Sequence, residues 1–190
     1  MSNDWSKAIS ILKRGGVIVA PTDTLYGILA KATNKKTVER IYKIKGRDED
    51  KPFIVLISTF NDLNKFGIRL TADQGKILDT LWPGKISVIL SCTSLKFKYL
   101  HRGTKTIAFR MIGKRNPNLY HLIKKVGPVV APSANLQGGK PAKNVWQAKK
   151  YFGNTVDMYM CGHTKTSKPS TLVQFKNNKL VVLREGAVKI

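Results

Sequence analysis

Short apolar runs that alternate with amphipathic segments are the feature that most limits how this chain can fold. Residues 5–12 carry apolar side chains at helical spacing, and the apolar run at 17–20 follows Gly15-Gly16. The same patterns predict helices at 37–44, 72–82, 119–126 and 145–152, and strands at 53–57, 86–92, 106–110, 129–131, 156–161, 171–175 and 180–183. Because helices and strands alternate before strands dominate, we predict an α/β fold with a mixed sheet, in a single domain over residues 1–190.

Charge limits the chemistry that this chain can perform. Lys and Arg number 34 against 11 Asp and Glu, a formal net charge of +23, and no carboxylate lies between Asp79 and Asp157. Such a surface attracts anions, whether nucleotide, bicarbonate or RNA, although lysine used as a default surface residue gives the same count. The stretch without carboxylates offers neither an acidic metal cluster nor an Asp or Glu general base. Its chemistry must use cations, hydroxyls, amides and backbone groups.

Other patterns point to a cytoplasmic protein without a metal centre of its own. The apolar runs are far shorter than the roughly 20 residues of a membrane span, and no signal peptide is evident at the start. Cys92 and Cys161 form no CxxC motif, so we expect buried thiols, although the two could pair. The histidines show no metal-ligand spacing and no Cys–His pair for covalent chemistry: His101, His121 and His163.

Hydroxyl groups follow the first predicted strand, in the segment 21–27. Thr24 and Tyr26 could bind a small polar ligand through their hydroxyls. The same segment is also compatible with a plain strand–turn–strand in which Pro21 and Gly27 only mark the turn.

The segment 43–52 places several cations between a helix and a strand. Lys45, Arg47 and Lys51 project from one predicted loop, where they could converge on phosphate oxygens. The acidic run 48–50 between them could orient magnesium or pair with the lysines. A solvated charged loop is the simpler alternative.

Polar groups also follow the predicted strand at 129–131. Ser133 and Asn135, with nearby backbone N–H groups, could form an anion or ribose site, or only an Asx-type turn. Arg110 and Arg184 each end an apolar strand, where an arginine can hold a phosphate or simply extend into solvent. Together these groups suit a nucleotide and a small anion, and would act by proximity and charge neutralisation.

In order along the chain, these segments resemble the YrdC/TsaC family of threonylcarbamoyl-adenylate synthases. The resemblance extends over nearly the whole chain, and its signature is the combination of Lys45-x-Arg47 with Ser133-x-Asn135. The other matching segments are 16–27, 51–52, 82–84, 107–110, 138–141, 170–173 and 183–186. The family fold implies an open, twisted mixed sheet with flanking helices and a basic concave face.

The resemblance also implies an activity. L-threonine, bicarbonate and ATP, with magnesium, would give threonylcarbamoyl-AMP and pyrophosphate, the first step in making threonylcarbamoyladenosine in transfer RNA. The threonine amine is carboxylated first, and the carbamate oxygen then attacks the α-phosphorus of ATP. Short members pass the adenylate to a separate transferase complex, and the basic face suggests a contact with transfer RNA.

The resemblance assigns a role to each candidate residue. The catalytic tetrad around the phosphates and the carbamate would be Lys45, Arg47, Ser133 and Asn135. Further ATP contacts would come from Lys51, Arg110 and Arg184, and the threonine pocket would be lined by Thr24 and Tyr26.

This chain departs from the family pattern at several positions. Leu56 stands where many relatives carry a histidine, Asp48 where proline is frequent, and Lys85-Ile86-Ser87 where Pro-Leu-Thr is commoner. Two alternatives therefore stay open: a YciO-like paralogue of unclear substrate, and an RNA-binding module that explains the charge without the ordered polar clusters.

Overall fold

The computed structural model describes residues 3–48, 50–164, 168–177 and 179–190. Its helices are α1 (Asn3–Lys13), α2 (Lys35–Lys45), α3 (Asn61–Asn64), α4 (Ala72–Leu81), α5 (Lys98–His101), α6 (Pro117–Val126) and α7 (Val145–Phe152), with a 3-10 turn at Leu95–Phe97. Its strands are β1 (Ile18–Pro21), β2 (Tyr26–Lys31), β3 (Ile54–Ile57), β4 (Ile86–Ser91), β5 (Thr106–Met111), β6 (Val129–Val130), β7 (Met158–Tyr159), β8 (Thr171–Lys176) and β9 (Lys179–Arg184).

Within the described residues, these strands form one nine-stranded sheet in the order β7-β1-β2-β6-β3-β5-β4-β8-β9. Parallel pairs such as β3 with β5 occur beside antiparallel pairs such as β4 with β5, so the sheet is mixed. The first and last strands do not pair with each other, so the sheet is open. The predicted α/β class, with an open mixed sheet and flanking helices, is confirmed.

The strand–turn–strand alternative for residues 21–27 implies strand β2, which the structure contains, but the sequence patterns give no bounds for it and do not predict the short helices α3 and α5. Five of the six residues of β2 are buried, because the strand lies inside the sheet between β1 and β6. Such a strand lacks the alternation of apolar and polar residues that marks a half-buried strand. The strand predicted at 156–161 forms only at Met158–Tyr159, where it pairs with β1.

Helices cover the two faces of the sheet unequally. On one face, the core that contains Val55 and Phe109 packs against α2, α4, α5 and α7. On the other face, the core that contains Leu29 and Leu56 packs against α1 and α6. Among the described residues, this second core includes nothing from β4, β8 or β9, so α1 and α6 do not pack on that part of the face, which we call the open face.

One row of side chains crosses this open face from β3 to β9. Leu56 pairs with Arg110, and the antiparallel register of β4 with β5 places Ser87 beside Arg110. Ser87 pairs in turn with Leu172, which pairs with Arg184. Because residues paired across a sheet share a face, Arg110 and Arg184 lie on this same face of the sheet.

Two further expectations can be compared with the fold. Cys92 is buried as expected, whereas the expectation of a buried thiol is wrong for Cys161, which is exposed; neither cysteine forms a disulfide. In the part of the chain that the structure describes, no helix is both long enough and apolar enough to cross a membrane.

Candidate functional site

Helix α2 delivers the first candidate residue, Lys45. The side chain of Asn34 caps the start of the helix by accepting a bond from the Thr37 N–H, and Gly46 ends it in the left-handed conformation at φ 55°. Lys45 is therefore the last helical residue rather than part of the predicted loop, and it is only 2% exposed, which contradicts the alternative of a solvated loop at this position. The helix extends one residue further than predicted because Gly46 is the first residue suited to the turn.

The Lys45 amine is held inside the protein by two backbone carbonyls. Its Nζ donates to the Ser133 oxygen at 2.6 Å and also to the Asn135 oxygen. Burial, followed by the nearby charge of Arg47, lowers the pKa of Lys45 to about 7. Because the two carbonyls use two of the positions around nitrogen, one position is left, which is an N–H in the ammonium form.

The loop that carries Ser133 and Asn135 is fixed from two sides. The Ala134 N–H donates to the backbone carbonyl of Tyr26 at 2.8 Å, and the Gln137 N–H donates to the backbone carbonyl of Lys45 at 3.0 Å. Within the loop, the Ser133 hydroxyl donates to Asn135 Oδ1 at 2.6 Å. Lys45, Ser133 and Asn135 are therefore brought into one cluster from distant parts of the chain.

Arg47 lies at the end of a column of stacked side chains. Its guanidinium carbon is 5.4 Å from the centre of the Phe53 ring, which stacks on Tyr42 at 4.0 Å. The guanidinium of Arg102 covers the other side of this stack, 3.8 Å from the Tyr42 ring centre. Arg47 Nε also donates to the Lys51 oxygen at 3.2 Å. The column thus holds the half-buried Arg47 near Lys45 by packing and cation–π contact.

The acidic run between these cations is tied to the protein. Lys51 Nζ lies 2.5 Å from Asp48 Oδ2, which lowers the pKa of Asp48, and the Asp48 N–H donates to the Gln137 side chain at 2.7 Å. Of the two alternatives for this run, pairing with a lysine is therefore observed for Asp48. Glu49, also part of that prediction, lies outside the described residues.

The two predicted threonine-pocket residues lie at the turn between β1 and β2. Thr24 is buried, with its hydroxyl oxygen 3.4 Å from that of Thr22. Tyr26 is 1% exposed, and its hydroxyl donates to the Gly162 carbonyl at 2.7 Å. Burial raises the pKa of Tyr26, so the phenol stays protonated. The sequence pattern placed Tyr26 in the turn, but it is the first residue of β2.

The same turn reaches across the sheet to Arg110. The guanidinium of Arg110 donates to Asp23 Oδ1 at 2.8 Å, and the two residues are only 4% and 8% exposed. Among the described residues, Arg110 Nε is buried and has no hydrogen-bond acceptor. A buried donor of this kind marks a position for a ligand atom or a bound water.

Arg184 is the other arginine of the open face. Its guanidinium donates to the Ser170 carbonyl at 2.8 Å, and the Ser170 hydroxyl lies 2.8 Å from that of Ser87. Burial lowers the pKa of Arg184, and the charge of Arg110 lowers it further. Two arginines that repel each other across one surface favour an anion between them.

A cavity of about 870 Å³ opens beside the ion pair of Asp23 with Arg110. Its lining is Asp23, Ser58, Pro83, Gly84, Lys85, Met111, Ile112, Gly113, Lys114, Arg115, Asn116 and Tyr120. The lining includes none of the residues of the Lys45 cluster. The turn at 22–25 links the two: Asp23 in the turn lines the cavity, and Tyr26, which follows the turn, contacts the loop of Ser133 and Asn135 through the Ala134 N–H.

Metal ligands are sparse in this site. In the described ranges, no three His, Cys, Asp or Glu side chains lie close enough together to hold a metal ion. Asp23 and Asp48, two carboxylates of the candidate segments, are each paired with a cation.

The structure thus brings the candidate residues together in two groups. Lys45, Arg47, Lys51, Ser133 and Asn135 form one, while Arg110 and Arg184 form the other on the open face. The turn that carries Thr24 and Tyr26 connects them. Sequence reasoning missed Asp23, Gln137 and the cavity; the position of Asp23 among hydroxyl residues was the available signal, whereas Gln137 had none.

The structure is thus an open α/β sheet on which cations, hydroxyls and amides are gathered in two groups. A family model described as telomere recombination (Sua5, YciO, YrdC) matches residues 10–186. The chain belongs to the Sua5/YciO/YrdC family.

Individual relatives agree with this membership. The threonylcarbamoyl-AMP synthase of Bacillus subtilis is 31% identical over 96% of this chain, which spans 53% of that protein. The enzyme of the same name from Nitrosococcus oceani is also 31% identical, over 87% of this chain and 89% of its own length.

Solved structures show the same fold. Sua5 of Pyrococcus abyssi, determined with L-threonine, has a TM-score of 0.87 at 26% identity and matches 96% of this chain, which covers 54% of Sua5. E. coli YciO has a TM-score of 0.84 at 25% identity, over all of this chain and 92% of its own.

Proposed function

We propose that this protein is an L-threonylcarbamoyladenylate synthase, a nucleotidyltransferase that joins L-threonine, bicarbonate and ATP. The observation that carries the proposal is the contact of the Lys45 amine with the carbonyls of Ser133 and Asn135, which assembles the two halves of the family signature. The relatives named for this reaction and the threonine complex of Sua5 support it.

In this proposal, the charges of the site match those of the reaction. Bicarbonate carboxylates the threonine amine with loss of water, and a carbamate oxygen forms a bond to the α-phosphorus of ATP as the bond to pyrophosphate breaks. Lys45 and Arg47 neutralise the negative charge that develops on phosphorus, while the Ser133 and Asn135 side chains orient the phosphate and carbamate oxygens. The free position on Lys45 Nζ becomes a charged donor once the anion is bound.

The remaining candidate residues bind the substrates. Lys51, Arg110 and Arg184 contact ATP, and the unpartnered Nε of Arg110 supplies one donor to it. Thr24 and Tyr26 line the threonine pocket; because the Tyr26 hydroxyl already donates to Gly162, it can still accept a bond from the substrate. Magnesium enters with ATP on the phosphates.

We further propose that residues 1–190 act as one domain in the cytoplasm and that the adenylate passes to a separate transferase complex. That complex would transfer the threonylcarbamoyl group to an adenosine beside the anticodon of transfer RNA. The basic open face would contact the transfer RNA.

Pyrophosphate release tests the activity. The proposal predicts release from ATP and magnesium that requires L-threonine and bicarbonate together. ATP binding without threonine-dependent release would favour a YciO-like paralogue, for which Leu56 beside Arg110 in place of histidine is the relevant observation. The absence of both ATP binding and pyrophosphate release would favour an RNA-binding module.

A further inference from the structure

We propose that the exposed face of helix α7 binds single-stranded RNA, with Trp146 as the stacking residue and the lysines around it as phosphate contacts. This α7 face consists of Lys140, Lys143, Trp146, Lys149, Lys150 and Tyr159. It lies outside the groups described above, so RNA binding there does not depend on the synthase assignment.

Trp146 is the first observation. Trp146 is 70% exposed, whereas its helix neighbours Val145 and Ala148 are buried and pack into the core. A large aromatic ring facing solvent has no packing role, while every nucleic-acid base offers a flat surface that can stack on it. Such stacking is the usual means by which proteins hold unpaired bases.

The surroundings of the ring are cationic. Lys149 Nζ lies 5.1 Å from the centre of the Trp146 ring and 5.8 Å from that of Tyr159, between the two aromatics. Lys150 stands four residues after Trp146 in α7, the spacing that places side chains on one helical face, and Lys143 directly precedes the cap residue Asn144. Lys140, Lys143, Lys149 and Lys150 are all exposed.

The charge of this face selects the occupant. No Asp or Glu occurs between Asp79 and Asp157, and Asp157 itself is held by Arg40 at 2.7 Å. A polyanion with flat bases matches both the lysines and the ring, whereas an apolar protein partner would leave the lysines without counter-charges.

The α7 face is joined to the loop of Ser133 and Asn135. The Tyr151 hydroxyl donates to the Lys140 carbonyl at 2.9 Å, and the Ala142 N–H donates to the Ala134 carbonyl at 2.9 Å. The side chain of Asn144 caps the helix through the Gln147 N–H at 3.0 Å. RNA on this face would therefore lie against a fixed surface next to the cluster of Lys45, Ser133 and Asn135.

Binding of a short single-stranded oligoribonucleotide and of a transfer RNA transcript tests the proposal. Trp146→Ala should weaken oligonucleotide binding roughly 5- to 150-fold, the range that corresponds to loss of one stacked base. Leu95→Ala, which removes an 81% exposed apolar side chain elsewhere, should leave binding unchanged. Fluorescence of the wild type should be quenched on binding, and this quenching should disappear in Trp146→Phe.

The contribution of charge is isolated by two variants of equal net charge. Lys143→Gln/Lys149→Gln/Lys150→Gln should reduce the slope of log affinity against log salt by about 2, while Lys7→Gln/Lys13→Gln/Lys36→Gln should change it little. Equal losses in both variants, or unchanged binding in Trp146→Ala, would overturn the proposal. The proposal would also be overturned if the variants of the α7 face bound RNA normally but failed to deliver the adenylate to a partner protein, because the face would then be a protein contact. Pyrophosphate release should be normal in every one of these variants, which keeps this test separate from that of the synthase.

Discussion

Lys45 shows how burial can change the pKa of a single side chain. An ordinary lysine titrates at 10.5, and this one at about 7, because the folded chain surrounds it with backbone and the charge of Arg47 is nearby. The free protein therefore carries the ammonium below about pH 7 and the amine above it. An anion that contacts the nitrogen favours the ammonium, so binding above pH 7 takes up a proton.

We predict that ATP affinity falls with rising pH between about pH 7 and pH 9, by up to tenfold per unit. Lys45→Arg keeps its charge throughout and should lose most of this dependence. Titration calorimetry in two buffers of different ionisation enthalpy measures both the affinity and the proton taken up. Constant affinity across this range in the wild type would show that Lys45 does not meet the anion.

Asp23 is expected to act through Arg110. Asp23→Asn leaves the buried guanidinium without its counter-charge, so the free energy of unfolding should fall by about 3 kcal/mol. Urea unfolding measures the change, with the exposed Asp79→Asn as the control that should cost little. In Arg110→Met the charge is already gone, and adding Asp23→Asn should cost much less. Equal costs in the two backgrounds would disprove the pairing.

At the scale of the elements, the close packing of the segment after β9 on the start of β8 requires a glycine at position 186. A Cβ on Gly186 would lie 2.4 Å from the backbone of Ser170 and Thr171, next to the carbonyl that Arg184 contacts. Gly186→Ala must therefore move backbone, and we predict loss of stability together with weaker ATP binding. Gly75→Ala is the matched control: it lies inside α4 with open space around it and should stabilise slightly. Thermal unfolding measures the stability of the two variants, and titration measures their ATP affinity. Unchanged ATP affinity in Gly186→Ala would show that this segment does not contribute to ATP binding.

The aromatic column is the element-scale support of Arg47. Phe53→Leu removes the ring against which the guanidinium lies, so we predict a raised KM for ATP in addition to lost stability. Phe97→Leu removes another buried ring from the same core, away from Arg47, and should lower stability alone. Steady-state kinetics at a temperature where both variants stay folded provides the comparison. Equal KM values in the two variants would exclude a role for the column.

Most elements follow from local patterns, whereas their arrangement does not. The helix at 145–152 is predicted to the residue because apolar side chains recur at helical spacing and Gly153 follows. The bounds of strand β2 escape prediction because it is buried on both faces, and the order of the nine strands depends on pairings between distant segments. Local sequence does not encode such pairings.

At the scale of the whole molecule, the site forms because the sheet is covered unequally. Helices α1 and α6 pack on one half of a face of the sheet. On the other half of that face, the pairing of β5, β4, β8 and β9 places Arg110 and Arg184 in one row. The sequence supplies the cations and hydroxyls, and the family resemblance supplies their grouping. The contact of Lys45 with two carbonyls and that of Asp23 with Arg110 are visible only in three dimensions, because each joins segments far apart in the chain.

Transfer of carbon from bicarbonate tests the central claim most directly. The protein is incubated with labelled bicarbonate, L-threonine, ATP and magnesium, and the nucleotide products are separated and analysed by mass. The account predicts an adenylate that contains threonine and one labelled carbon, formed by the wild type and lost in Lys45→Ala. Pyrophosphate release without a labelled adenylate, or an adenylate that forms equally well in Lys45→Ala, would contradict it.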